Sequence, residues 1–167
     1  SSKDDGSTFW FNCALPEQPM TENEQYDLAF DQLHEKCSPE NLRSISILIA
    51  EDEQINQVLA TALLEQLGLS VTSVANGRQA VDEILQNSHQ LILMDLQMPE
   101  VDGFEATRQI RLLEGEKGQI PIIALTAHAL AKDSEKCRQA GMNGFLSKPI
   151  EINELKSILC KHLLPLI

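Results

Sequence analysis

The sequence predicts an α/β domain built on a doubly wound, five-stranded parallel sheet with helices on both faces. Three observations predict it. Strand-like and helix-like stretches alternate five times from residue 46 onward, across about 120 residues, and such alternation makes one parallel sheet covered by helices. The strand candidates are continuous apolar runs, as strands buried on both faces must be. Four of them run into a polar or charged residue, and in an open α/β sheet those residues gather at the carboxyl edge, where ligands bind.

Each element has its own signal. Ile47-Leu48-Ile49-Ala50 reads as the first buried strand. Ile55, Val58, Leu59, Ala62, Leu63 and Leu67 fall on one helical face, and Gly68 supplies the stop. Leu69–Val74 is a second, weaker strand, followed by a helix through Ala80, Val81, Ile84 and Leu85. Leu91–Asp95 is the third strand, closed by the Met98-Pro99 turn signal. Asp102 suits the N-cap of a helix carrying Phe104, Ile110 and Leu113. Pro121–Thr126 is the fourth strand, and residues 128–140 form a helix ended by Gly141. Gly144–Ser147 is a short fifth strand. A last helix starts near Ile150 with Ile152, Leu155, Ile158, Leu159 and Leu163 inward. Right-handed crossovers limit the topologies, and five strands predict the flavodoxin-like order 2-1-3-4-5, with a crevice between the first and third strands.

The chain of 167 residues has room for this domain and a leading segment. Its hydrophobic content of 43% supports a core, and an aromatic share of 4% makes that core aliphatic. A net charge of −12 argues against a nucleic-acid or anionic membrane surface, which needs clustered Lys and Arg. Residues 1–45 and 46–167 each carry a net −6, so the leading part is far more acidic per residue. Residues 18–44 read as an acidic linker, with one short amphipathic helix permitted by Tyr26, Phe30 and Leu33. Residues 45–167 are the folded domain. Cys13, Cys37, Cys137 and Cys160 show no metal-ligand spacing and no CxxC. With no signal peptide and no apolar run long enough for a bilayer, a cytoplasmic setting without direct membrane contact is expected. The chain starts without Met and reads as a fragment, so its parent could still be anchored in an inner membrane.

Asp95 alone could be a cap or turn residue. Its company narrows the choice. Glu51-Asp52 follow the first strand and Asp95 ends the third, so three acids converge on one crevice. Like charges that close raise at least one pKa, and a hard divalent cation such as Mg²⁺ removes the conflict through oxygen ligands. Thr126 adds a hydroxyl at the end of the fourth strand, and Lys148 adds an ammonium after the fifth. Metal, carboxylate, hydroxyl and ammonium together suit an aspartate attacking a phosphoryl group, a reaction governed by positioning and electrostatics.

Over about residues 45–164 the sequence resembles the receiver domain of two-component response regulators. The matching pieces are Ile47–Glu53, Met94–Pro99, Asp102-Gly103, Ala124–Ala127 and Gly141–Pro149, and the steps of 43, 31 and 22 residues from Asp52 to Asp95, Thr126 and Lys148 suit that family. The resemblance implies Asp95 as phosphoacceptor. It implies Mg²⁺, with Mn²⁺ an acceptable substitute, held by Asp52, by Glu51 through water, by Asp95 and by the backbone carbonyl of Gln97. It implies that Lys148 contacts the phosphoryl group, that Thr126 hydrogen-bonds it once formed, and that Phe145 moves inward as an aromatic switch. It also implies a cis Lys148-Pro149 bond. Phe145 replaces the commoner Tyr, so no phenol hydrogen bond is available to the switch. A receiver of this kind catalyses its own phosphorylation and dephosphorylation.

Ile55-Asn56-Gln57, Asp95–Pro99, Gly103–Thr107 and Leu125–Ala129 match the wording of receivers fused to hybrid sensor histidine kinases. Independently, Gly6–Pro16 resembles the last strand of a kinase ATP-binding domain, so residues 1–17 read as its remnant, able to dock on the receiver or to pair with another molecule. The resemblance implies phosphoryl exchange with a kinase phosphohistidine domain or a histidine phosphotransfer domain, docked on the first helix and the loop after the fifth strand. No DNA-binding output domain is in sight. Of His34, His89, His128 and His162, none is assigned as donor, and His128 reads as a helix-start residue rather than as part of the rim. Three other readings are weaker. A haloacid-dehalogenase-type phosphatase needs an Asp where Gln97 stands. A flavin binder needs a phosphate loop where Glu51-Asp52-Glu53 repels phosphate. A pseudo-receiver acting only as an interaction module would not need the full acid–Thr–Lys set.

Overall fold

A computed structural model of the chain describes residues 42–127 and 131–163. Its elements alternate as β1 (Ser46–Ala50), α1 (Gln54–Gln66), β2 (Ser70–Val74), α2 (Gly77–Gln86), β3 (Leu91–Asp95), α3 (Gly103–Arg111), a 3-10 turn (Gly115–Gln119), β4 (Ile122–Thr126), α4 (Ala131–Ala140), β5 (Gly144–Ser147) and α5 (Ile152–Leu163). The five strands form one parallel sheet in the order β2-β1-β3-β4-β5. The remnant strand and most of the acidic linker lie outside the described residues, as do residues 128–130, where the fourth helix was expected to start.

Period-two geometry explains the core. Side chains alternate across a strand, so each central strand feeds two apolar layers. Ile47, Ile49, Leu91, Leu93, Ile123 and Leu125 pack with Ala60, Leu64, Leu155 and Leu159. Leu48, Ala50, Ile92, Met94, Ile122 and Ala124 pack with Ala80, Ile84, Ala106 and Ile110 on the other face. Leu91 through Met94 are fully buried, and each contributes about 1.5–3 kcal/mol by burial. That sum exceeds the cost of burying one polar group at the strand end, about 1–3 kcal/mol. Leu42 is buried in the first layer, and the Arg43 carbonyl accepts a bond from Ser70 Oγ, so the chain enters at the amino edge of the sheet.

The register sets the height of the site. Ala50 pairs with Met94, Asp95 with Leu125, and Thr126 with Ser147. Glu51 therefore emerges level with Asp95, Thr126 one residue above, and Lys148 one residue above that.

The orientation of α1 differs from expectation. Of the six residues expected inward, Leu67 is buried and Leu63 packs against the core, but Ile55, Val58 and Leu59 are 77%, 63% and 47% exposed and Ala62 is also exposed; Ala60 and Leu64 complete the inward side. The cause is polar. Gln57 Nε2 donates to the carbonyls of Glu51 (2.5 Å) and Val74 (3.1 Å), and Asn56 Nδ2 donates to Glu51. These amides take the inward side of the first turn, and the apolar stripe is rotated outward. Leu85 on α2 is likewise half exposed.

Candidate functional site

Close packing of backbone brings the site together. Asp102 Oδ1 accepts from the N–H of Glu105 at 2.8 Å and starts α3. Gly103 follows, and a Cβ there would lie 2.1 Å from the Asp95 carbonyl oxygen. Only glycine lets α3 approach the end of β3 this closely. On the far side the Lys148–Pro149 peptide is cis, and Lys148 N–H bonds the Thr126 carbonyl at 2.8 Å.

Asp95 is 5% exposed at the tip of β3. Its Oδ2 accepts from Lys148 Nζ at 2.6 Å, and its Oδ1 accepts from the Gln97 backbone N–H at 3.2 Å. Lys148 Nζ also lies 2.6 Å from Glu51 Oε2. Lys148 therefore bridges the two acids, and Glu51 is only 1% exposed. The other oxygen, Oε1, accepts from Asn56 Nδ2 at 3.0 Å. Asp52 is exposed at the rim. One carboxylate oxygen from each of Glu51, Asp52 and Asp95 lies within 4.8 Å of the others.

Burial holds the Asp95 carboxyl above its ordinary range, against the bonds from Lys148 and Gln97, and the neighbouring Glu51 charge pushes the same way. Burial would lower the Lys148 ammonium, but Asp95 and Glu51 together outweigh it and hold it above its usual value. Lys148 is shared between the buried carboxylates of Glu51 and Asp95, with the Asp52 carboxylate at the rim. An all-oxygen set with a net negative charge fits a hard divalent cation.

Glu51, Asp52, Asp95, Gln97, Thr126 and Lys148 all line one cleft of about 440 Å³ at the carboxyl edge. Thr126 is 7% exposed beside it. Phe145 stands on β5 with 42% of its surface exposed. His128 lies outside the described residues. Sequence reasoning left Asn56, Gln57 and Lys136 without roles, yet Asn56 and Lys136 line the cleft and Gln57 secures its floor. The available signal was two adjacent amides interrupting an apolar helical stripe just after the acidic pair.

Comparison with known proteins fixes the class. The response regulator receiver domain family matches residues 47–160, and the chain belongs to that family. Hybrid signal transduction histidine kinase K of Dictyostelium discoideum is 34% identical over 93% of this chain, which covers 13% of that protein. The chain spans only 13–15% of the length of such curated relatives. The receiver domain of a sensor histidine kinase from Pseudomonas aeruginosa, solved with a magnesium ion coordinated in its active-site cleft, is 46% identical, with a TM-score of 0.67 over 71% of this chain and 97% of that one. The receiver domain of the Saccharomyces cerevisiae response regulator Ssk1, solved with the histidine phosphotransfer protein Ypd1, is 33% identical, with a TM-score of 0.66 over 71% and 88%. This is thus a two-component receiver whose relatives include receiver regions of hybrid sensor histidine kinases. Among the described residues no helix is long and apolar enough to cross a membrane.

Proposed function

We propose that this domain accepts a phosphoryl group on Asp95 from a phosphohistidine, with Mg²⁺ held by Glu51, Asp52, Asp95 and the Gln97 carbonyl. The observation that carries the reading is a buried aspartate at the centre of the cleft, bonded to Lys148 and within ligand distance of two more acids. An Asp95 carboxylate oxygen forms a bond to phosphorus as the phosphorus–nitrogen bond of the donor breaks. The bond's electron pair stays on the imidazole nitrogen, and an acyl phosphate results. Mg²⁺, when bound, neutralises phosphoryl oxygens. Lys148 adds a second positive charge at 2.6 Å from Asp95, and the Gln97 N–H keeps the carboxylate oriented. Such electrostatic aid is commonly worth about 10²–10³ in rate per donor.

Thr126, one residue above Asp95 in the register, bonds the new phosphoryl group. Its shift admits the outward ring of Phe145, a population shift biased by the added contacts. The Ile55, Val58 and Leu59 face of α1, exposed beside the cleft, is the docking surface for a histidine phosphotransfer domain or a kinase phosphohistidine domain. The parent chain is a hybrid histidine kinase, and residues 1–17 are the end of its ATP-binding domain. Acetyl phosphate with Mg²⁺ tests the reading: intact mass should rise by one phosphoryl group in the wild type and not in Asp95→Asn. No gain, or a gain that survives the substitution, rejects it.

A further inference from the structure

We infer that Asn56 is a positioning residue for the metal site, acting through Glu51. The inference rests on the metal-site reading above and adds a residue that does not touch the ion. Asn56 Nδ2 donates to Glu51 Oε1 at 3.0 Å and to Glu53 Oε2 at 2.8 Å. A carboxylate has two oxygens. With Oε1 committed to Asn56, Oε2 is the oxygen that meets Lys148 Nζ, at 2.6 Å.

The choice of Glu rather than a shorter acid makes this support necessary. Glu51 has one more rotatable bond than Asp, and its carboxylate would otherwise swing among several rotamers. Asn56 removes that freedom from one side while Gln57 fixes the backbone beneath it. An amide is well suited here, because it donates two hydrogens to two acids and adds no charge that would compete with a cation. Supports of this kind commonly change metal affinity by about 10–100-fold. They also explain why α1 turns amides inward and leaves Ile55, Val58 and Leu59 outside.

The test is Mn²⁺ affinity, read from the free-ion electron paramagnetic resonance signal, in wild type, Asn56→Ala, Glu51→Gln and the double variant. Asn56→Ala should weaken binding about tenfold in the wild-type background and less than about twofold in the Glu51→Gln background, because the two residues act as a unit. Equal losses in both backgrounds, or no loss in the first, overturn the inference. A Glu51→Gln variant that binds as well as wild type overturns the metal-site reading as well. A loss in Glu51→Gln without one in Asn56→Ala overturns only the role of Asn56. A variant-free check is the Asn56 side-chain amide in a ¹H–¹⁵N spectrum. It should sit away from the free-amide position and move on Mg²⁺ addition; a pair at the free-amide position that ignores Mg²⁺ overturns the inference.

Discussion

The two edges of the sheet handle buried charge in opposite ways. At the amino edge the half-buried guanidinium of Arg111 and both ring nitrogens of His89 have hydrogen-bond partners. Arg111 Nε bonds the Gly141 carbonyl, its Nη1 bonds those of Gly118 and Ile120, and its Nη2 bonds Asn143 Oδ1, all within 2.7–3.0 Å. His89 Nδ1 meets Ser46 Oγ at 2.8 Å, and its Nε2 meets Glu83 Oε1 at 3.0 Å. At the carboxyl edge one lysine serves two buried acids, and a third acid stands at the rim. A matched network specifies the fold, whereas a mismatched one leaves room for a ligand.

The contrast is sharpest in mutants. Arg111→Met should lower unfolding free energy by about 3 kcal/mol, because it strands three carbonyls at once, and it should leave metal affinity unchanged. Urea denaturation and a Mn²⁺ titration on the same variant check both halves. Asp95→Asn should do the reverse. Burial raises the Asp95 carboxyl in the folded state, so its ionised form disfavours folding. The variant should be more stable than wild type by about 1 kcal/mol without metal at pH 7. Because the folded value is the higher one, the wild type recovers stability as pH falls through it, fully so below the unfolded value. The gap between the proteins should therefore shrink from pH 7 to pH 4.

Two smaller effects refine the comparison. Burial lowers the pKa of His162, with the Lys161 charge acting in the same sense, and among the described residues its Nε2 has no hydrogen-bond partner. A depressed folded value means stability present above the unfolded value and lost as pH falls through the folded one. His162→Leu should flatten the loss of stability as pH falls below about 6.5. Glu100 holds φ +67° in a tight turn where the Val101 N–H bonds the Pro99 carbonyl. Glu100→Gly relieves left-handed strain and should stabilise by a few tenths to about 1 kcal/mol, seen as a small rise in Tm.

The apolar runs made most of the fold legible. Leu91–Asp95 has no pattern but burial on both faces, and a parallel sheet is what such strands build. The polar ends of those strands also made most of the site legible, since Glu51, Asp52, Asp95, Gln97, Thr126 and Lys148 meet in one cleft. The face of α1 was not legible. Two apolar stripes fit its sequence, one through Ile55 and Leu59 and one through Ala60 and Leu64. Hydrophobicity favours the first, but the need of the Glu51 carbonyl and carboxylate for amide donors selects the second. Only tertiary structure shows that need. The Arg111 network is hidden for the same reason: its partners are mostly backbone carbonyls, one of them 30 residues away.

The acyl phosphate itself gives the most direct test of Asp95. Borohydride reduces an aspartyl phosphate to homoserine. After treatment with acetyl phosphate and Mg²⁺, then borohydride, peptide mass spectrometry should find homoserine at position 95, and none there when Mg²⁺ is chelated first. Homoserine at another acid, at position 95 regardless of metal, or nowhere in a protein that gained phosphoryl mass would contradict Asp95 as the Mg²⁺-dependent phosphoacceptor.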